Sequence, residues 1–137
     1  MPQRYLLDTN VLSHLIRRPD DAVIRKITEV GNDRLCTSVV VACELRFGAR
    51  KKRSAELAAR VDQLLESLEV IALERQVDRV YAEIRDALET CGQPIGGNDY
   101  LIAAHALVQD CVLVSENENE FRRVPNLEVE NWLPSRR

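Results

Sequence analysis

The amino-acid sequence predicts an α/β fold with a central parallel sheet of four or five strands flanked by helices. Three observations predict it. Short apolar segments bounded by turn residues alternate with longer segments whose apolar residues recur at three and four. The short segments read as buried strands. Three carboxylates, Asp8, Glu44 and Asp99, stand at or inside such apolar stretches, where a charge is costly unless paired or bound to metal.

The elements follow in order. Residues 4–8 form the first strand, with Tyr5, Leu6 and Leu7 before the turn-forming Asp8-Thr9-Asn10. Thr9 or Asn10 can cap the next helix, whose apolar face is Val11, Leu12, Leu15 and Ile16. Pro19-Asp20-Asp21 starts a second helix with Val23, Ile24, Ile27 and Val30, and Gly31-Asn32 stops it. Leu35-Cys36-Thr37 is the second strand, and Ser38 caps a helix to about Lys51. A helix over 54–67 carries the stripe Leu57, Val61, Leu64, Leu65 and Leu68. Val70-Ile71-Ala72 is the third strand. The clearest amphipathic helix spans 74–91, with Val77, Val80, Tyr81, Ile84, Leu88 and Cys91 on one face. Residues 92–97 are a breaker loop, and a helix runs from Asn98 to about Gln109. Cys111-Val112-Leu113-Val114 and Leu127-Glu128-Val129 complete the sheet.

The bulk properties agree with one domain over residues 1–137, without repeats or low-complexity tracts. Charged residues make up 30% and apolar residues 45% of the chain, an ordinary globular balance. No apolar run approaches the roughly 18 residues that span a bilayer. Met1-Pro2-Gln3-Arg4 runs straight into a strand and leaves no room for a secretion signal, so a cytoplasmic location is expected. Cys36, Cys43, Cys91 and Cys111 form no C-x-x-C pair and read as reduced core residues, not a zinc site. The net charge of -3 does not mark a nucleic-acid binder. The charge is uneven, however. Arg46, Arg50, Lys51, Lys52 and Arg53 form a basic block, and Arg122, Arg123, Arg136 and Arg137 lie near the C-terminus. The block is either a solvated helix connection or a phosphate-contacting patch.

Sites in parallel sheets form beyond the carboxyl ends of the strands. Asp8 ends strand one, Ser115-Glu116-Asn117 follows strand four, and Asp99 opens the helix leading into strand four. Each acid has a plain structural role open to it. Asp8 can begin a turn or cap a helix, Asp99 can complement a helix dipole, and Glu44 can pair with a nearby arginine. Jointly they read as one acidic site. Clustered carboxylates repel each other, and Mg²⁺ or Mn²⁺ is the natural partner for such oxygen ligands. A cation there assists hydrolysis at a phosphoryl group. His14 and His105 sit among apolar neighbours on helices and read as helix-face residues.

These stretches resemble the PIN-domain ribonucleases, and within them the VapC toxins of bacterial toxin-antitoxin pairs. The matching segments are Leu7-Asp8-Thr9-Asn10-Val11, residues 43–49 around Glu44, residues 95–106 around Asp99, and residues 120–127 from Glu120 to Leu127. They occur in the family's order and cover nearly the whole chain. The resemblance implies a PIN-like three-layer fold and a Mg²⁺-dependent endoribonuclease acting on tRNA or another structured RNA. It implies a cognate VapB-like antitoxin, a homodimer and a toxin-antitoxin hetero-oligomer. Asp8, Glu44 and Asp99 match the family's acidic metal residues. Ser115 and Asn117 match polar positions, Glu120 matches an acid before Phe121, and Thr9 positions Asp8 or a water. Glu116 and Glu118 are additional charges beside the fourth acid.

Other readings compete. A receiver-type signalling domain needs paired acids after strand one and a lysine after the last strand, and neither is present. A haloacid dehalogenase-type phosphatase needs D-x-D where this chain has Asp8-Thr9-Asn10. A housekeeping RNA-processing nuclease would differ only in substrate and partner. A non-catalytic RNA-binding module would lack acids that this chain retains.

Overall fold

Strand β1 (Arg4–Leu7) lies at the centre of the sheet, with Leu6 and Leu7 fully buried. A computed structural model describes residues 2–18 and 22–134. On one side β1 pairs with β2 (Leu35–Ser38), and on the other with β4 (Cys111–Val114). In this register Leu6 lies opposite both Cys36 and Leu113. Strands β3 (Glu69–Ile71) and β5 (Val129–Glu130) are the edges, giving the order β3-β2-β1-β4-β5 with every pairing parallel. Every residue of β2 and β4 is buried, as expected where helices cover both faces of a parallel sheet.

The helices start where side chains can accept the orphan N–H groups of a first turn. Asp8 caps α1 (Thr9–Arg17), its carboxylate accepting from the Thr9 N–H at 2.7 Å. Of the cap positions the sequence offers, Asp8, Thr9 and Asn10, the structure uses Asp8, because β1 ends directly on it. Helix α2 (Ala22–Val30) is followed by a 3-10 turn at Asn32–Arg34. Ser38 caps α3 (Val39–Lys51), and Ser54 caps α4 (Ala55–Glu66). Helix α5 (Val77–Thr90) packs against α6 (Gly97–Val108), which also touches α3 and β4. Helix α6 is buried along most of its length, from Tyr100 through Ala106 with Leu101 half-buried. Its alanines let it approach its neighbours closely. Helix α7 (Glu118–Phe121) is one turn, anchored by the fully buried Phe121.

Several sequence expectations shift. Helix α5 starts at Val77, not 74, because residues 74–76 form a turn closed by the Val77 N–H on the Glu74 carbonyl at 3.1 Å. Strand β5 falls at 129–130, not 127–129. Asn126 takes a left-handed φ of 68° after Pro125, and that turn delays strand pairing. Helix α7 is too short to show periodicity in sequence. Only Cys36 and Cys111 are buried, their sulfurs 3.8 Å apart; Cys43 and Cys91 are exposed on α3 and at the end of α5. The expected helix start at Pro19-Asp20-Asp21, and Arg136 and Arg137, lie outside the described residues. Among the described residues no helix is long and apolar enough to cross a membrane.

The chain runs outward from β1 to β2 to β3, then crosses back to β4 on the other side of β1. Strand order thus reverses at β1 and β4. The crevice beyond their carboxyl ends is where such sheets hold ligands. Phe121 is the deepest anchor on that rim. Phe121→Ala is expected to cost about 3–5 kcal/mol in urea unfolding. A loss under about 1 kcal/mol would show that α7 is not seated through this ring.

Candidate active site

Asp8 leaves β1 inside the crevice. Its N–H continues the ladder to the Val114 carbonyl at 2.9 Å, and its side chain is 3% exposed. One carboxylate oxygen takes the Thr9 N–H. The other takes the Ser115 hydroxyl at 2.8 Å. Burial raises the Asp8 pKa and the nearby Glu44 charge adds to it, while the Ser115 and Thr9 hydrogen bonds oppose the rise. Ser115 is itself fully buried, and it accepts the Asn117 N–H at 2.9 Å. Its donor role is thereby directed at Asp8.

Glu44 is half-buried on α3, between the buried Val41 and Leu45 and the exposed Cys43 and Phe47. It thus lies at the edge of the buried face of α3. The Thr9 hydroxyl donates to one Glu44 oxygen, and the Asn98 amide donates to the other at 3.2 Å. Thr9 thus serves both acids: its backbone holds Asp8 and its side chain holds Glu44. Arg46, two residues on, pairs instead with Asp62.

Asp99 lies in the first turn of α6, where the helix dipole alone would favour a carboxylate. Its pKa is nonetheless pushed up to about 7. Burial is the first cause, followed by the charges of Asp8, Glu120 and Glu44 and a hydrogen bond with Glu120. Here burial and like charge outweigh the dipole. Glu120, on α7, is thus the fourth acid that meets Asp99.

Four elements therefore bring Asp8, Glu44, Asp99 and Glu120 into mutual interaction, with Thr9 and Ser115 bonded to them. Asn117 enters differently from the others. Its backbone N–H bonds Ser115, while its residue is exposed and its side chain does not cap α7. Glu118 is engaged by Arg122 at 2.8 Å and by Asn131 at 3.2 Å. Two contributors were not singled out from sequence. Asn98 holds Glu44, and Asn10 accepts the Glu116 N–H at 3.2 Å, tying α1 to the loop after β4. Their only sequence signal is adjacency to Asp99 and to Asp8-Thr9. Among the described residues, no three His, Cys, Asp or Glu side chains close on one point as a formed metal cage. The donor set is nonetheless all hard oxygen, the chemistry of Mg²⁺ and Mn²⁺.

Comparison with known proteins places this arrangement. A family model described as PIN domain matches residues 5–127. The chain is 36% identical over 130 residues to Ribonuclease VapC2 of Rickettsia felis, covering 93% of this chain and 97% of that one. It is 32% identical to the tRNA(fMet)-specific endonuclease VapC of Salmonella typhimurium, covering 94% and 98%. The structure matches VapBC2 from Rickettsia felis bound to a promoter DNA fragment, with a TM-score of 0.89 and 34% identity over 95% of this chain and 99% of that one. It also matches VapBC-1 from nontypeable Haemophilus influenzae, with a TM-score of 0.86 and 30% identity over 95% and 98%. On these grounds, and by its fold, the chain belongs to the PIN-domain family and, within it, to the VapC ribonucleases.

Proposed function

We propose that this protein is a Mg²⁺-dependent endoribonuclease toxin that cleaves tRNA or another structured RNA and is silenced by a VapB-like antitoxin. The observation that carries the reading is the convergence of Asp8, Glu44, Asp99 and Glu120 at the carboxyl ends of the strands, which also pushes the Asp99 carboxyl up to about 7. A site built of mutually repelling oxygens is one that a hard cation stabilises. Asp8, Glu44 and Asp99 would hold the ion. When bound, Mg²⁺, or Mn²⁺ in its place, supplies positive charge that offsets the acids and steadies charge developing on a phosphoryl group.

The chain's own groups do the rest. Ser115 and the Thr9 N–H lock both oxygens of Asp8, so that side chain cannot turn away. Thr9 and Asn98 orient Glu44. Glu120, which hydrogen-bonds Asp99, would take a proton from the attacking water. Hydrolysis joins the water oxygen to phosphorus and breaks the P–O3′ bond; the departing 3′ oxygen takes a proton from solvent, leaving a 5′-phosphate and a 3′-hydroxyl. The basic block begins two residues past Glu44. Arg46, Arg50, Lys51, Lys52 and Arg53 are all exposed and can meet RNA phosphates on both sides of the cut.

Partner binding has its own support. A cavity of about 650 Å³ is lined by Leu15, Ile16, Ile24, Ile27 and Leu64 on α1, α2 and α4, and by Leu68 just beyond α4. A second, of about 280 Å³, reaches Thr9 and Glu44. Ile16 and Arg17 line both. An amphipathic antitoxin segment in the first cavity could extend an arginine through the second to the acids, where a guanidinium pairs with carboxylates in bidentate fashion.

The direct test is cleavage of total cellular RNA with Mg²⁺. Asp8→Asn and Asp99→Asn are expected to lose cleavage by about a hundredfold or more while keeping the far-UV circular dichroism of the parent. EDTA is expected to abolish the wild-type activity. Expressed alone in a bacterium, the wild type should arrest growth, Asp8→Asn should not, and a small co-encoded protein should rescue it. Activity retained in EDTA or in Asp99→Asn refutes the mechanism. Harmless expression of an active nuclease favours the housekeeping reading.

A pH prediction follows from the raised Asp99. The folded protein keeps a proton that the unfolded chain releases above its ordinary 3.8. Stability of the chelated protein therefore falls as pH rises from about 4 through 7. Thermal melts in EDTA should give a higher Tm at pH 5 than at pH 8. Asp99→Asn should shrink that gap, and an unchanged gap would show that other groups govern it.

The basic block is tested by salt. Replacing Lys51 and Lys52 with Gln should weaken binding to every RNA alike and flatten the log–log salt slope by about one per lost phosphate contact. An unchanged slope would make the block a solvated helix end.

A further inference from the structure

Two fully buried polar side chains stand outside the acid cluster yet join the helices that carry it. Ser38, the last residue of β2, caps α3, its hydroxyl oxygen accepting the Val40 N–H at 3.1 Å. His105, on α6, places Nδ1 2.7 Å from the same oxygen, and both residues are 0% exposed. Its Nε2 is buried without a hydrogen-bond partner, and the Ala72 carbonyl beyond β3 lies near the ring. Because the Ser38 oxygen already accepts the Val40 N–H, its hydroxyl hydrogen is free to point at Nδ1, which then accepts it. Burial holds the ring neutral against the opposing charge of Glu74, so Nδ1 remains an acceptor.

The resulting chain, Val40 N–H to Ser38 to His105, links the first turn of the Glu44 helix to the body of the Asp99 helix. Each acid lies six residues from its member of the pair, about 9 Å along a helix axis. A tilt at the Ser38 end is therefore carried to Glu44. The Asn98–Glu44 bond at 3.2 Å, itself between α6 and α3, tolerates little such movement. Ser115 offers a parallel at the end of β4: a buried serine that accepts a backbone N–H and donates to a side chain of the site.

We propose that Ser38 and His105 are a positioning pair that sets α3 against α6, so that Glu44 and Asp99 address the same cation. This rests on the metal-dependent nuclease reading.

The test compares His105→Leu, which keeps volume and loses the acceptor, with His105→Asn, whose amide oxygen can occupy the Nδ1 position. Ser38→Ala and the Ser38→Ala/His105→Leu double variant complete a cycle. His105→Leu is expected to lower kcat for RNA cleavage about tenfold with KM within about twofold, and to weaken Mn²⁺ binding, read by calorimetry, by a similar factor. His105→Asn should recover most of both. The double variant should be no worse than the more damaging single variant. Equal losses in the Leu and Asn variants, additive losses in the cycle, or a lowered Tm with unchanged kcat and Mn²⁺ affinity would each overturn the pair's positioning role. If His105→Leu does not fold, Ser38→Ala against wild type reads the same kcat and Mn²⁺ shifts, and parity there overturns the proposal. A wild type that cleaves RNA while His105→Leu matches it refutes the pair alone. A wild type that binds no Mn²⁺ refutes the nuclease reading with it.

Discussion

The burial of Asp8 is the constraint on which the rest of the structure depends. A carboxylate at the carboxyl end of a central strand is tolerated only if both oxygens find donors. One donor is the first N–H of α1, so the acid also starts the helix that covers it. The other is Ser115 at the end of the neighbouring strand, so β1 and β4 must be paired in register for the acid to be satisfied. Fold and site are therefore not separable here. The interaction that completes the sheet's rim also fixes the first acid of the cluster.

Around that fixed acid the site accumulates like charge. Glu44, Asp99 and Glu120 arrive from three other elements, and their repulsion appears in the raised Asp99. In a chain whose core is otherwise conventional, this is a local cost to stability retained at a functional place. On the proposed reading a cation would relieve it, and an inhibitor's arginine would enter the same negative pocket, with the apolar cavity between α1, α2 and α4 as a separate source of affinity.

The supporting polar groups show a division of labour. Thr9, Ser115 and Asn98 touch the acids directly and set their orientations. Ser38 and His105 lie outside the cluster and tie the backbone elements that bear them. Alanines on α6 permit close packing with its neighbours, and the fully buried Phe121 seats the one-turn helix carrying Glu120. Orientation at the site therefore depends on packing several residues away.

By itself the sequence determined the element order, the parallel α/β architecture and three of the acids that converge in the crevice. Periodicity and caps are local properties: alternation of short apolar runs with helical stripes survives in one dimension. Asp8, Glu44 and Asp99 were legible because charge in an apolar context is conspicuous. Ser38 was legible as a cap because its acceptor role is local. The tertiary structure alone decided what lies far apart in sequence. It brought Ser115 to Asp8, Asn98 to Glu44 and His105 to Ser38, pairs separated by 107, 54 and 67 residues. It selected Glu120 over Glu116 and Glu118 as the acid facing Asp99. It turned Cys43 and Cys91 outward and moved β5 past the Asn126 turn. The reason is physical: which polar group satisfies a buried partner depends on strand order and helix packing, and neither leaves a periodic trace in a single sequence.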